Sequence, residues 1–138
     1  MRHFQKSKFS EATLEELHGL IASLKERDFT FVQICASTVE GGCDLLYALR
    51  DPERTEPGMD GWIVNVPQGE HVPSITDLYP AAFVFENETH DLFGIDFDDI
   101  SIDYHGHFYT VPVAYPMNPQ TEEDKAAVEA AEQRGGNK

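Results

Sequence analysis

The stretch PSITDLYPAAFVFENETHDLFGIDF, Pro73 to Phe97, decides how the chain folds, because it passes from punctuated coil to a helical period and stops on a glycine. From Pro80 onward, Ala82, Phe85, Thr89 and Leu92 recur at the spacing that lines one face of a helix. Proline is tolerated in the first turn, where its missing N–H has no helical partner. Gly94 supplies the left-handed residue that ends many helices, and Ile95 the apolar side chain that clamps such an end. The spacing predicts a helix over about Pro80 to Phe93.

Upstream, Ser10-Glu11 reads as an N-cap and first-turn acid, and Leu14, Leu17, Ile21 and Leu24 repeat at helical spacing. A first helix over about Glu11 to Arg27 follows, with Lys25 and Arg27 in the last turn, where positive charge suits the helix dipole. FTFVQICASTV, Phe29 to Val39, is rich in β-branched and aromatic residues and predicts a strand. Glu40-Gly41-Gly42 offers the positive φ of a hairpin turn, and CDLLYALR returns as the second strand. DPERTEPGMDG, Asp51 to Gly61, is loop chemistry of unusual length, and WIVNV, Trp62 to Val66, predicts a third strand of the same antiparallel sheet.

Downstream of Phe97, ISIDYHGHFYTVPVAYP alternates like one or two further strands, with Gly106 as a turn or bulge. TEEDKAAVEAAEQR offers Thr121 as an N-cap but only a weak apolar stripe. The expectation is one α+β domain over residues 1–116, with an N-terminal helix, an antiparallel sheet of about three or more strands and a second helix packed on it. Residues 117–138 form an acidic, Ala-rich mobile tail.

The 138 residues suffice for one domain with a core that needs no disulfide or metal. The two cysteines flank the expected turn, where Cys43 would pair with Glu40 and Cys35 would face the Ala48 region, too far apart to bridge. They read as small buried apolar residues. No apolar run approaches the roughly 20 residues of a membrane-spanning helix, and MRHFQKSKFS lacks a signal-peptide core. A cytoplasmic chain with no direct membrane insertion is expected.

Formal charge is -15, and no Lys or Arg stands between Arg54 and Lys125. Such a surface repels phosphate backbones and anionic lipid, which argues against nucleic-acid binding and membrane adhesion. A partner for it should present cations, because complementary potentials steer association; simple solubility is the plainer account.

Two groups carry candidate chemistry. Glu86 and His90 are four apart and share a helical face, with Glu88 and Asp91 on a neighbouring one. Farther on, Asp103, His105 and His107 would project to one side of a strand, either as the ordinary solvent face of an edge strand or, with Glu86 and His90, as part of a small metal-binding domain or hydrolase using Glu86, His90, His105 and His107. Neither HExxH, a cysteine cluster nor GxSxG supports that chemistry. A solvated acidic face around a core helix is the alternative. Asp91, however, falls in the last turn, where the helix already carries partial negative charge. It therefore calls for a histidine, a backbone N–H, a metal or another polypeptide.

Pro73-Ser74, Tyr79-Pro80, Ala82, Glu86, Glu88, Asp91, Phe93-Gly94-Ile95 and Phe97 resemble, at matching spacing, the C subunit, or thirty-kilodalton subunit, of NADH-quinone oxidoreductase, respiratory complex I. That family shows Glu-Arg-Glu, two residues, then Asp-Met-Phe-Gly-Ile-x-Phe. Asn87 stands where the family has arginine, and DDISIDYHGHFYTVPVAYP replaces the family's Gly-His-Pro-x-Leu-Arg-Arg segment. In these departures the chain looks more like the small subunit of Ech-type energy-converting [NiFe] hydrogenases or related formate hydrogenlyases.

The resemblance implies a subunit without cofactor or active site of its own, peripheral on the cytoplasmic side of the membrane. It would pack on the large subunit that carries the nickel-iron site or, in complex I, borders the quinone site. Glu86, Glu88 and Asp91 would then be partner-facing or network-forming carboxylates, and Phe93, Gly94, Ile95 and Phe97 the rigid corner that positions them.

Overall fold

A computed structural model describes residues 9–100. The elements in order are β1 (Phe9–Ala12), α1 (Leu14–Glu26), β2 (Thr30–Val39), β3 (Gly42–Arg50), β4 (Asp60–Pro67), β5 (His71–Pro73), α2 (Ala82–Phe93) and β6 (Asp96–Asp98). The fold is α+β, as expected. The segment from Ser101, including Asp103, His105, His107 and the expected tail, lies outside the described residues, as do the first eight residues.

The principal sheet has the order β1-β4-β3-β2 and is mixed rather than antiparallel. β2, β3 and β4 form the expected meander, but β1 pairs parallel to β4, with Ser10 opposite Trp62. Ser10 and Glu11 are therefore strand residues, and α1 starts later than its expected Glu11. Its N-cap is Thr13, whose Oγ1 accepts the Glu16 N–H at 3.2 Å while Glu16 Oε1 accepts the Thr13 N–H at 2.9 Å. This reciprocal capping box satisfies two donors that the helix itself cannot pair.

The β2–β3 turn is one residue tighter than expected. Val39 pairs with Gly42, leaving Glu40 and Gly41 as the two-residue connection, and Gly41 has φ 79°. Gly42 belongs to the strand, where it must be glycine because a side chain there would collide with the Val66 carbonyl of β4. Cys43 consequently pairs with Thr38, not Glu40, and Cys35 with Leu46, not the Ala48 region. Cys43 is buried as expected; Cys35 is exposed, because strand alternation turns it to the opposite face.

One continuous core joins Leu17, Ile21 and Leu24 of α1 to Ile34, Leu45, Tyr47, Leu49, Val64 and Val66 of the sheet, with Ala82 of α2 in the same cluster. Both helices thus cover the same sheet face. A register shift between Phe31 and Gln33 keeps Phe31 facing α2, where its ring stacks on Tyr79 at 5.8 Å and meets Phe85 edge-on at 5.6 Å. The long connection between β3 and β4 is held by Arg50, which donates to Gly58 O at 2.7 Å, and by the Arg54–Asp60 ion pair.

α2 begins two residues after Pro80 and ends at Phe93 on Gly94, whose φ of 77° and N–H to His90 O at 2.9 Å form the expected left-handed cap. Its inward face differs from the expected stripe. Ala82 and Thr89 are buried, but Phe85 and Leu92 are only partly so, and Glu86, Asn87 and Asp91 are buried with the first pair. β5 and β6 then pair in parallel, with Val72 opposite Phe97, and fasten the two ends of the 73–97 stretch together.

Candidate functional site

Glu86 is fully buried in the interface between α2 and the turn that follows β5. Its Oε1 accepts from Ser74 Oγ at 2.7 Å and its Oε2 from the Ile75 N–H at 2.8 Å. Ser74 Oγ also accepts the Thr76 N–H at 3.0 Å and lies 2.7 Å from Thr76 Oγ1. The carboxyl thus splices a non-helical turn to the helix, satisfying a buried backbone donor that would otherwise cost free energy. Burial raises its pKa to about 7, against the lowering effect of the bonds from Ile75 and Ser74, and nearby Asp77 raises it further.

Tyr47, from the middle of β3, is also fully buried, and its hydroxyl has no hydrogen-bond partner among the described residues. Its pKa lies well above the ordinary tyrosine value, mainly through burial and secondarily through the charge on Glu86.

At the other end of α2, the buried Asp91 meets His90 Nδ1 at 3.2 Å, and His90 Nε2 reaches Asp96 Oδ1 of β6 at 3.2 Å. A histidine of its own chain, one of the groups that Asp91 calls for, thus lies against it. His71 of β5 lies 2.9 Å from Asp98 and 3.7 Å from Asp96 across the β5–β6 pair. Its pKa is raised above 6.5 by the Asp98 hydrogen bond first and the Asp98 charge second, with smaller contributions from Asp96 and Glu70. In α1, His18 bonds both carboxylate oxygens of Asp77 at 2.9 and 3.1 Å. Between them a groove of about 190 Å³ is lined by His18, Pro73, Ser74, Asp77, Asp98 and Asp99.

The two halves of the alternative metal pair therefore serve different partners: Glu86 turns to Ser74 and Ile75, His90 to Asp91 and Asp96. Among the described residues, no group of three His, Cys, Asp or Glu side chains has metal-binding geometry. The alternative of a solvated acidic face does not hold for Glu86 and Asp91, which lie inside; Glu88 is partly buried.

Of the corner residues, Ile95 and Phe97 sit in this chain's own core, while Phe93 and Gly94 are partly exposed. Sequence reading overlooked Ser74 and Thr76 as partners of Glu86, although Ser74-Ile75-Thr76 places two hydroxyls astride the backbone N–H that Glu86 takes. It had no signal for Tyr47, His18–Asp77 or His71–Asp98, which are joined only by the fold.

A family model described as "Respiratory-chain NADH dehydrogenase, 30 Kd subunit" matches residues 10–108. Among solved structures, the chain resembles one from the membrane-bound sulfane sulfur reductase, an archaeal respiratory membrane complex. The TM-score is 0.71 at 19% identity, over 93% of this chain and 80% of that one, a likeness of fold. No curated protein matches. No described helix is long and apolar enough to cross a membrane.

Proposed function

This chain belongs to the family of the respiratory-chain NADH dehydrogenase 30 kDa subunit, and we propose on that premise that it is a non-catalytic subunit of a membrane-bound respiratory oxidoreductase. It docks on the large subunit from the cytoplasmic side and holds that subunit's conformation. The assembly we favour is an Ech-type [NiFe] hydrogenase, because Asn87 and the DDISIDYHGHFYTVPVAYP segment depart from the complex I pattern. A quinone-linked complex is the second reading, supported by the description of the family itself.

The observation that carries the docking role is the division of the motif between an inner and an outer layer. Glu86, Asp91, Ile95 and Phe97 are buried and set the corner's shape. Glu88, Phe93 and Gly94 are partly exposed, beside the exposed Asp96, Asp98 and Asp99. A rim of carboxylates, in a stretch of sequence without Lys or Arg, suits a partner that brings cations. Residues 1–116 would form the docking domain and 117–138 an appended tail.

Purification of the tagged chain from detergent-solubilised membranes, with mass spectrometry of what accompanies it, tests this reading. A nickel-iron large subunit supports the hydrogenase and a quinone-site subunit the second reading. Recovery of the native chain alone, with no oxidoreductase subunit, overturns both.

A further inference from the structure

We propose that Glu86 is a buried proton-exchange site, loaded and unloaded through the Ser74–Thr76 hydroxyl pair, whose members reverse their donor and acceptor roles so that the carboxyl keeps its position with or without the proton. The chain of oxygens Thr76 Oγ1, Ser74 Oγ and Glu86 Oε1 has links of 2.7 Å each, and either hydroxyl can be the donor of the first link. With Glu86 ionised, Thr76 donates to Ser74 and Ser74 donates to Oε1. With Glu86 protonated, Oε1–H donates to Ser74, and Ser74 donates to Thr76 Oγ1. Two bonds are common to both states: Ile75 N–H to Oε2 and Thr76 N–H to Ser74 Oγ. The change of charge shifts protons along bonds that are already in place and requires no displacement of the turn.

Ser74 also borders the groove shared with His18, Asp77 and Asp98, so solvent-filled space adjoins the residue that carries the first hydroxyl. In loading, Ser74 passes its proton to Oε1 while Thr76 passes its own to Ser74 Oγ, and Thr76 Oγ1 takes one from a hydronium ion, which leaves as water. The proton that Ser74 receives already lies on its bond to Thr76 Oγ1. Unloading reverses each transfer. The groups that bear on the carboxyl are Tyr47 from β3 and Asp77 from the β5–α2 connection, the latter paired with His18 of α1. None of them places a fixed cation on Glu86. The neutral form is favoured by burial, as is the supporting upward shift in its pKa.

The test is a pH titration of the full chain with 13C-labelled glutamate carboxyls, assigned by subtraction of Glu86→Gln. The expected result is one carboxyl that titrates near neutrality and is missing from the variant, while the Ile75 amide stays equally protected from exchange on both sides of the transition. Ser74→Ala should move that midpoint upward, by roughly one unit or tenfold in proton affinity, and Ser74→Thr should restore it. Titration of Glu86 in the ordinary carboxylate range, or loss of Ile75 protection on loading, overturns the proposal. So does a Ser74→Ala midpoint equal to that of the wild type. If Ser74→Ala does not fold, the first two readouts in the wild-type chain decide.

Discussion

Ser74 and Glu86, twelve residues apart and on different elements, share a 2.7 Å hydrogen bond with both side chains buried. This contact joins the proline-serine entry of the 73–97 stretch to the acidic helix at its centre. The linkage between them has a thermodynamic sign. Because burial holds the Glu86 pKa at about 7, above its ordinary value of 4.5, the folded chain binds this proton more tightly than the unfolded chain. The contribution is fully present below the unfolded value and is lost as pH rises through the folded one. Between those limits, stability of the wild type should fall by about 3 kcal/mol relative to Glu86→Gln, whose amide mimics the protonated acid. Urea unfolding of both proteins across this range measures the difference.

Tyr47 presents the opposite case, a buried hydroxyl with no partner among the described residues. Removal of an unpaired polar atom relieves its desolvation cost. Tyr47→Phe should leave stability unchanged or raise it by up to about 1 kcal/mol. Loss of more than that in thermal unfolding would mean that the hydroxyl is hydrogen-bonded, for instance through a buried water.

The position of the first N-cap is directly measurable. Thr13→Ala should cost about 1 kcal/mol, because it strips the capping box from α1. Ser10→Ala, at an exposed strand residue, should change stability by less than about 0.5 kcal/mol. Equal effects would return the N-cap to Ser10.

His71 ties β5 to β6 by its bond to Asp98. Its pKa is raised, so the stabilising contribution is complete below 6.5 and disappears as pH rises through the folded value. Hydrogen exchange at the Ser74 amide, which donates to Asp98 O, should therefore lose protection with rising pH beyond the intrinsic exchange trend. His71→Gln should abolish that extra dependence.

The acids of α2 should separate fold from assembly. Glu88 is partly exposed and Asp91 buried. Glu88→Lys should reduce recovery of partner subunits while the isolated chain melts nearly as before. Asp91→Ala should lower both, at a cost of about 1–3 kcal/mol to the isolated chain, because it strands the donor on His90. Equal losses of stability and assembly in both variants would assign Glu88 an ordinary structural role.

The sequence by itself determined the elements whose signals are local. Leu17, Ile21 and Leu24 repeat with the helical period, Gly41 supplies a turn that other residues resist, and Gly94 closes α2 with a left-handed residue. The meander of β2, β3 and β4 and the family motif were legible for the same reason: each is written in neighbouring residues. Only the tertiary structure decided that Phe9–Ala12 is a parallel strand, since four residues carry too little period to outweigh a nearby capping signal. It also turned Glu86 and Asp91 inward. A helical face is chosen by the sum of its contacts, and polar side chains go inside when other groups are held in place to satisfy them. Here those groups are Ser74 and the Ile75 amide for Glu86, and the adjacent His90, held from β6 by Asp96, for Asp91.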